Sequence, residues 1–329
     1  MRALIIGGAG YLGGHVLRAL LGSGWEVAVI DNLSFGHRDV VPKRIPFYGR
    51  ECGLIVAVED VFREQTFDVA IYCAGLNGSA MSREFPLHYY HNNFIAIYYL
   101  LKTLLEQRVY RFLFSSDFSV YDPDIDGEID EKTPKNPQTP LGRSLLAVEG
   151  LLRDLAENCG LRYAILRAGV LAGTVPTDGF LGNGSCALLN DIFSVVRGRK
   201  AAVTICGKGT APKNIAPKMD YVHVCDVADA YALAAQATAL ENGTELLLGT
   251  GHTLTEEDVV HVAERILQRS IPVNLRERLP WEPAHICVNY ALAANAFGWR
   301  PRRDLRDCIE SAWRAPEKFP ENGHKMSIS

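Results

Sequence analysis

Residues 2–31 constrain this chain more than any other stretch. Arg2-Ala3-Leu4-Ile5-Ile6 is a short apolar run, as expected of a strand buried on both faces. Gly7-Gly8-Ala9-Gly10-Tyr11-Leu12-Gly13-Gly14 follows directly. Val16, Leu17, Leu20 and Leu21 then recur at helical spacing, and Gly22 and Gly24 end the helix. A second strand, Trp25-Glu26-Val27-Ala28-Val29-Ile30, ends on Asp31. Glycines in such a turn let the backbone approach a pyrophosphate closely, and the helix N-terminus faces the anion. The unit therefore points to a dinucleotide held through Gly7, Gly10, Tyr11, Leu12 and Gly13. A carboxylate at Asp31 accepts hydrogen bonds from the adenosine ribose hydroxyls and repels a 2′-phosphate, which favours NAD(H). His37, Arg38 and Lys43 lie just downstream, so NADP(H) is not excluded.

Further strands, Phe67–Tyr72, Arg111–Phe114 and Tyr163–Leu166, alternate with helical patterns at about 93–107 and 143–158. That alternation predicts an α/β fold with a doubly wound parallel sheet, a Rossmann domain. We place this domain at 1–168 with a return at about 220–250. A smaller C-terminal substrate lobe takes 169–219 and 251–316, and 317–329 is a polar, flexible tail. Both helical patterns are apolar over more than one stripe, which suits a sheet on one side and a homodimer seam on the other. Three loops are expected to rim a cleft: 169–184, a basic loop at 207–219 carrying Lys208, Lys213 and Lys218, and an acidic loop from Asp122 to Glu131.

Composition narrows the partners. A net charge of −4 without a long basic run argues against nucleic acid. No apolar stretch reaches the roughly 18 residues of a membrane span, and the N-terminus does not read as a signal peptide. Eight cysteines without Cys-x-x-Cys spacing suit a reduced, cytoplasmic protein. His88 and His91 lack companion ligands, so no metal is expected. The expected partner is a small-molecule substrate.

Several motifs resemble the extended short-chain dehydrogenase/reductases, in particular the NAD-dependent epimerase/dehydratase family of UDP-galactose 4-epimerase. They are Gly7–Gly13, Val29-Ile30-Asp31-Asn32-Leu33, Cys73-Ala74-Gly75-Leu76, the run from Pro86 to Asn93, Phe114-Ser115-Ser116, Ser119-Val120-Tyr121, and the run from Asp220 to Ala228. The resemblance runs from residue 1 to about 313. It implies cofactor contacts from Asn32, Glu51, Cys52, Cys73, Ala74, Gly75, Asn77, Asn92, Ser115, Ser116, Ala168 and Val170.

The chemistry is where the chain departs. The family's proton-handling Tyr-x-x-x-Lys pair falls on Leu141 and Leu145, and its strand-end Ser/Thr on Asp117. Leucine neither donates nor accepts a proton. The family's diphosphate-binding Asn and Arg positions fall in Ala168-Gly169-Val170-Leu171 and on Met219, and a later acidic position is Asn289. Val170, Leu171, Met219 and Trp281 would suit a flatter, more apolar substrate. The leading expectation is thus an atypical NAD(P)H-dependent ketoreductase of a natural product such as an aromatic polyketide. Its proton would come from water or the substrate's own hydroxyl, with Asp117 as acid or substrate anchor. One alternative is a sugar-nucleotide epimerase or dehydratase with relocated acid/base groups, drawn from Tyr121, Tyr89 or Asp117. The other is a catalytically inactive dinucleotide sensor.

Overall fold

The computed structural model describes residues 1–175, 186–207, 216–237 and 243–315. Its central sheet has seven parallel strands. Their spatial order is Thr244–Leu248, Arg162–Ala168, Arg111–Asp117, Val69–Tyr72, Arg2–Ile6, Glu26–Ile30 and Phe47–Tyr48. From Arg2–Ile6 the chain first winds to one side, then returns to Val69–Tyr72 on the other. Such a reversal opens a crevice at the carboxyl ends of the strands, where ligands bind in open α/β sheets.

Alternation along the strands fills two cores. Leu4 and Ile6 face the helices Ile55–Glu64, Ala96–Glu106 and Pro140–Cys159. Ala3 and Ile5 face the helices Tyr11–Gly22 and Val224–Gln236 on the other side. The sheet is covered on both faces, which is why its strands read as unbroken apolar runs.

The lobe has its own core, including Leu189, Ile192, Val259 and Ile309. Its mixed sheet runs Thr253–Thr255, Lys218–His223, His285–Val288 and Glu128–Ile129, with Val170–Ala172 also paired to Lys218–His223. The buried Asp220 accepts backbone hydrogen bonds from Thr250 (2.8 Å) and Gly251 (2.9 Å), tying the lobe to the end of the last sheet strand.

The acidic loop is docked rather than free. Asp124 pairs with Arg278 at 3.0 Å, Asp126 with His285 at 2.9 Å, and Glu128 accepts from Asn289 at 2.9 Å. Lys208 and Lys213 of the basic loop, residues 176–184 of the earlier loop, and the tail 317–329 lie outside the described residues. Among the described residues no helix is long and apolar enough to cross a membrane, and no cluster of His, Cys, Asp and Glu is arranged to hold a metal.

Candidate active site

The dinucleotide cradle is built from close backbone approach. A Cβ on Gly13 would collide with the Gly7 carbonyl, so the first helix can start against the turn only with glycine there. One oxygen of Asp31 accepts from Ala9 N at 2.9 Å and the other from Leu33 N at 2.8 Å, fixing the carboxylate at the rim of the turn. Burial raises its pKa, and these backbone donors oppose the rise. Glu51 stands beside it and accepts from Asn32 Nδ2 at 2.6 Å. Two carboxylates at this rim disfavour a 2′-phosphate. Arg38, a candidate to soften that preference, donates to the Val41 carbonyl at 2.6 Å and stacks on Phe47. The residues present fit NAD(H).

Some sequence candidates sit elsewhere. The Tyr11 hydroxyl leaves the cradle and donates to the Gly173 carbonyl in the lobe. Ser115 and Ser116 point to opposite faces of their strand. Ser115 meets the Tyr231 hydroxyl, while Ser116 donates to Glu149 at 2.7 Å. Asn92 bonds its own helix, donating to the His88 carbonyl at 2.9 Å. The neighbouring Asn93 instead holds the loop that follows the strand Val69–Tyr72: its Oδ1 accepts from Leu76 N (2.7 Å) and its Nδ2 donates to Leu76 O (2.9 Å). The sequence reading missed Asn93 because a π-turn, His91–Ile95, shifts the helix face there.

At the strand ends lies a cavity of about 180 Å³, lined jointly by the core and the lobe. It brings together Asp117, Ala168, Val170, Met219 and Trp281, all singled out from the sequence. Leu141 and Leu145 do not line it. They are 4% and 7% exposed and belong to the apolar core on the sheet face. Lys218 alternates to the far side of its strand from Met219 and is absent from the lining. No Lys, Arg or His stands among the described lining residues.

Asp117 has two faces. Its Oδ1 caps the turn Phe118–Val120, accepting from Ser119 N at 2.6 Å, and its other oxygen has no protein partner among the described residues. The Ser119 hydroxyl and the Tyr121 hydroxyl, on two further lining residues, are buried without a hydrogen-bond partner among the described residues. Burial pushes the Tyr121 phenol up to about 12, so it stays protonated near neutrality. Tyr89, another candidate for a relocated proton, donates to the carbonyls of Asn77 and Gly78 instead. The start of the helix Pro140–Cys159 is pressed against this turn: a Cβ on Gly142 would strike the Ser119 carbonyl.

Glu149, Arg167, Glu245 and Arg153 form an ionic network, fully buried at Arg167 and Glu149, that the sequence reading did not find. Arg167 donates to Glu149 at 2.8 and 2.6 Å and to Glu245 at 2.6 Å, and Arg153 joins Glu245 at 2.5 Å. The Arg167 guanidinium also lies 5.8 Å from the centre of the Tyr121 ring.

Comparison with known proteins bears on this geometry. The model of the NAD dependent epimerase/dehydratase family matches residues 3–249. The chain belongs to that family. A UDP-glucose 4-epimerase of Lacticaseibacillus casei is 30% identical over 326 residues, covering 98% of each chain. The crystal structure of a UDP-glucose 4-epimerase from Stenotrophomonas maltophila, with bound NAD and formylated UDP-arabinopyranose, superposes with a TM-score of 0.89. It is 28% identical, with 95% of this chain and 97% of that one covered. The epimerase from Bifidobacterium longum, in complex with NAD+ and UDP, gives a TM-score of 0.89 at 26% identity, over 95% of this chain and 97% of that one. The family is NAD dependent, and the cradle of this member fits NAD(H).

These relatives overturn the ketoreductase expectation. That reading weighted the lost tyrosine and lysine above the rest of the chain. Epimerase likeness instead extends through the lobe, over nearly the whole length of both chains.

Proposed function

We propose that this protein is an NAD(H)-dependent enzyme acting on a nucleotide-linked sugar, with its proton relocated from the family's tyrosine to Asp117. The observation that carries the reading is the position of Asp117. It is a carboxylate on the strand end beside the cradle, with one oxygen unpartnered in a cavity shared by core and lobe. Bound in the cradle, NAD supplies the acceptor and later the donor of a hydride at a hydroxyl-bearing carbon. Asp117 takes the hydroxyl proton as that carbon becomes a carbonyl, and returns it when the carbonyl is reduced. Protons and hydride balance over the cycle. Asn93 holds the loop beneath the cofactor, and Asp31 with Glu51 receives the adenosine end. The lobe, 169–219 and 251–316 in this reading, covers the sugar.

The test is interconversion of a panel of UDP- and dTDP-hexoses by the purified protein, compared with Asp117→Asn. Loss of a positioned acid/base group predicts about 10²- to 10⁴-fold slower turnover at unchanged NAD content. Equal rates would move the proton elsewhere. A second reading, dinucleotide binding without turnover, is favoured by the packing of Leu141 and Leu145 into the core. Full NAD occupancy with no turnover of any sugar nucleotide would select it.

We also read the outer faces of Ala96–Glu106 and Pro140–Cys159 as a subunit seam. Tyr98 and Tyr99 are exposed there, with Leu151 and Leu155 half-buried.

A further inference from the structure

The cavity poses a binding problem. Among the described residues nothing cationic lines it, and the positions from which relatives are expected to grip a diphosphate carry Val170 and Met219. The described lining residues offer a ligand polar and aromatic groups rather than an ion-pairing partner. The most prominent alternative is Trp281, whose indole reaches the cavity from the lobe.

Trp281 is not alone. The Arg83 guanidinium sits over its ring, 4.2 Å from the centroid, and Arg83 is not part of the cavity lining. Arg83 belongs to the short helix Ser79–Glu84, and Ser79 of that helix also lines the cavity. The pair thus bridges the segment after the fourth sheet strand in sequence to the lobe. A guanidinium on one face of an indole fixes its tilt and leaves the other face for a ligand. Asp117 and Gln138 also line the cavity and supply polar groups. An aromatic platform with polar groups around it suits a pyranose, whose ring presents a C–H face and a rim of hydroxyls.

We infer that Trp281 is the stacking platform for the sugar ring and sets the site's preference for it, with Arg83 as the residue that positions the indole. This inference rests on the nucleotide-sugar reading above. It adds that the sugar, rather than the diphosphate, carries most of the affinity.

The experiment is calorimetric titration of the NAD-loaded protein with UDP-glucose and with UDP. The wild type is expected to bind UDP-glucose at least tenfold more tightly than UDP. Trp281→Ala should erase most of that ratio with UDP affinity unchanged, and Trp281→Phe should restore it. Arg83→Gln should reduce the ratio several-fold and Arg83→Lys should keep it. Intrinsic tryptophan fluorescence should respond to UDP-glucose but not to UDP, and the response should vanish in Trp281→Phe. A ratio untouched by Trp281→Ala, or equal losses for both ligands, overturns the platform and leaves the nucleotide-sugar reading standing. Failure of the wild type to bind either ligand removes that reading and the platform with it.

Discussion

The Arg167 guanidinium meets the Glu149 carboxylate in a two-pronged pair, at 2.8 and 2.6 Å, with both side chains fully buried. The pair joins the strand Arg162–Ala168 to the helix Pro140–Cys159, and Glu149 also accepts from Ser116, which precedes Asp117 in its strand. Removing Glu149 leaves the buried Arg167 guanidinium with Glu245 alone, at 2.6 Å, and strips the Ser116 hydroxyl of its acceptor. Glu149→Ala should therefore cost about 3 kcal/mol, the low end for a broken buried pair. Replacing both partners by Met should cost less than either single change, because no orphaned charge remains. Urea denaturation of the three variants checks the order; a double variant weaker than both singles would refute it.

Acid should loosen the protein through two histidines. His15 and His223 are buried and held neutral, each with its pKa lowered to about 4 chiefly by desolvation. Between about 6.5 and 4 the unfolded chain binds their protons and the folded chain does not, so stability falls as pH drops through that window. Each group accounts for about 3 kcal/mol at full effect. The two are coupled, so the sum is smaller. Asp31 and Asp220 have raised pKa values and act in the opposite direction, which makes the variant comparison the cleaner one. Urea midpoints at pH 7 and pH 4.5 should converge in His15→Gln relative to wild type. An unchanged slope would show that His15 titrates normally.

Restoring the family's tyrosine and lysine should fail. Leu141 and Leu145 have become core, not vacancies. A lysine at 145 would enter a site 7% exposed, and the carboxylate at i+4 on its helix, Glu149, is already taken by Arg167 and Ser116. We expect Leu145→Lys to lower stability by about 2–4 kcal/mol, and Leu141→Tyr/Leu145→Lys to gain no turnover. Thermal denaturation and the sugar-nucleotide assay read the two effects separately. A folded double variant with new activity would mean that the core has room that the packing denies.

What the sequence disclosed follows from how local each signal is. The strand, turn, helix and acid of residues 2–31 are contiguous, so their periods and glycines revealed the cradle. The cavity was partly legible: three of the residues lining it, Asp117, Val170 and Met219, stand at positions where the resemblance to the family breaks, and Trp281 was singled out only as an apolar residue. The ionic network was not. Glu149, Arg167 and Glu245 are far apart in the chain, and each reads alone as a surface charge. Arg83 was likewise invisible, because its partner Trp281 lies nearly two hundred residues away and only the fold brings them together. Weighing the two leucines above the whole-length motif pattern produced the ketoreductase reading, since loss of one catalytic pair says nothing about which substrate the lobe still surrounds.

The Asn92 and Asn93 pair shows how one turn of backbone redistributes roles, and it yields the last prediction. At a regular helical pitch Asn92 would be the residue facing the cofactor loop. The π-turn His91–Ile95 adds a residue to the turn and rotates Asn93 into that place. There its amide closes both hydrogen-bonding groups of Leu76 in a buried setting. Asn93→Ala removes one acceptor and one donor together and leaves the Leu76 N–H and carbonyl unpaired, at a cost of about 1–3 kcal/mol. The loop Cys73–Leu76 follows the fourth sheet strand and sits at the turn's back, so NAD affinity should fall about tenfold as the loop loosens. Asn92→Ala loses only a bond within its own helix and should leave NAD affinity within about twofold of wild type. Fluorescence titration with NADH separates them. Equal effects from the two variants would mean that the π-turn does not set the register in solution.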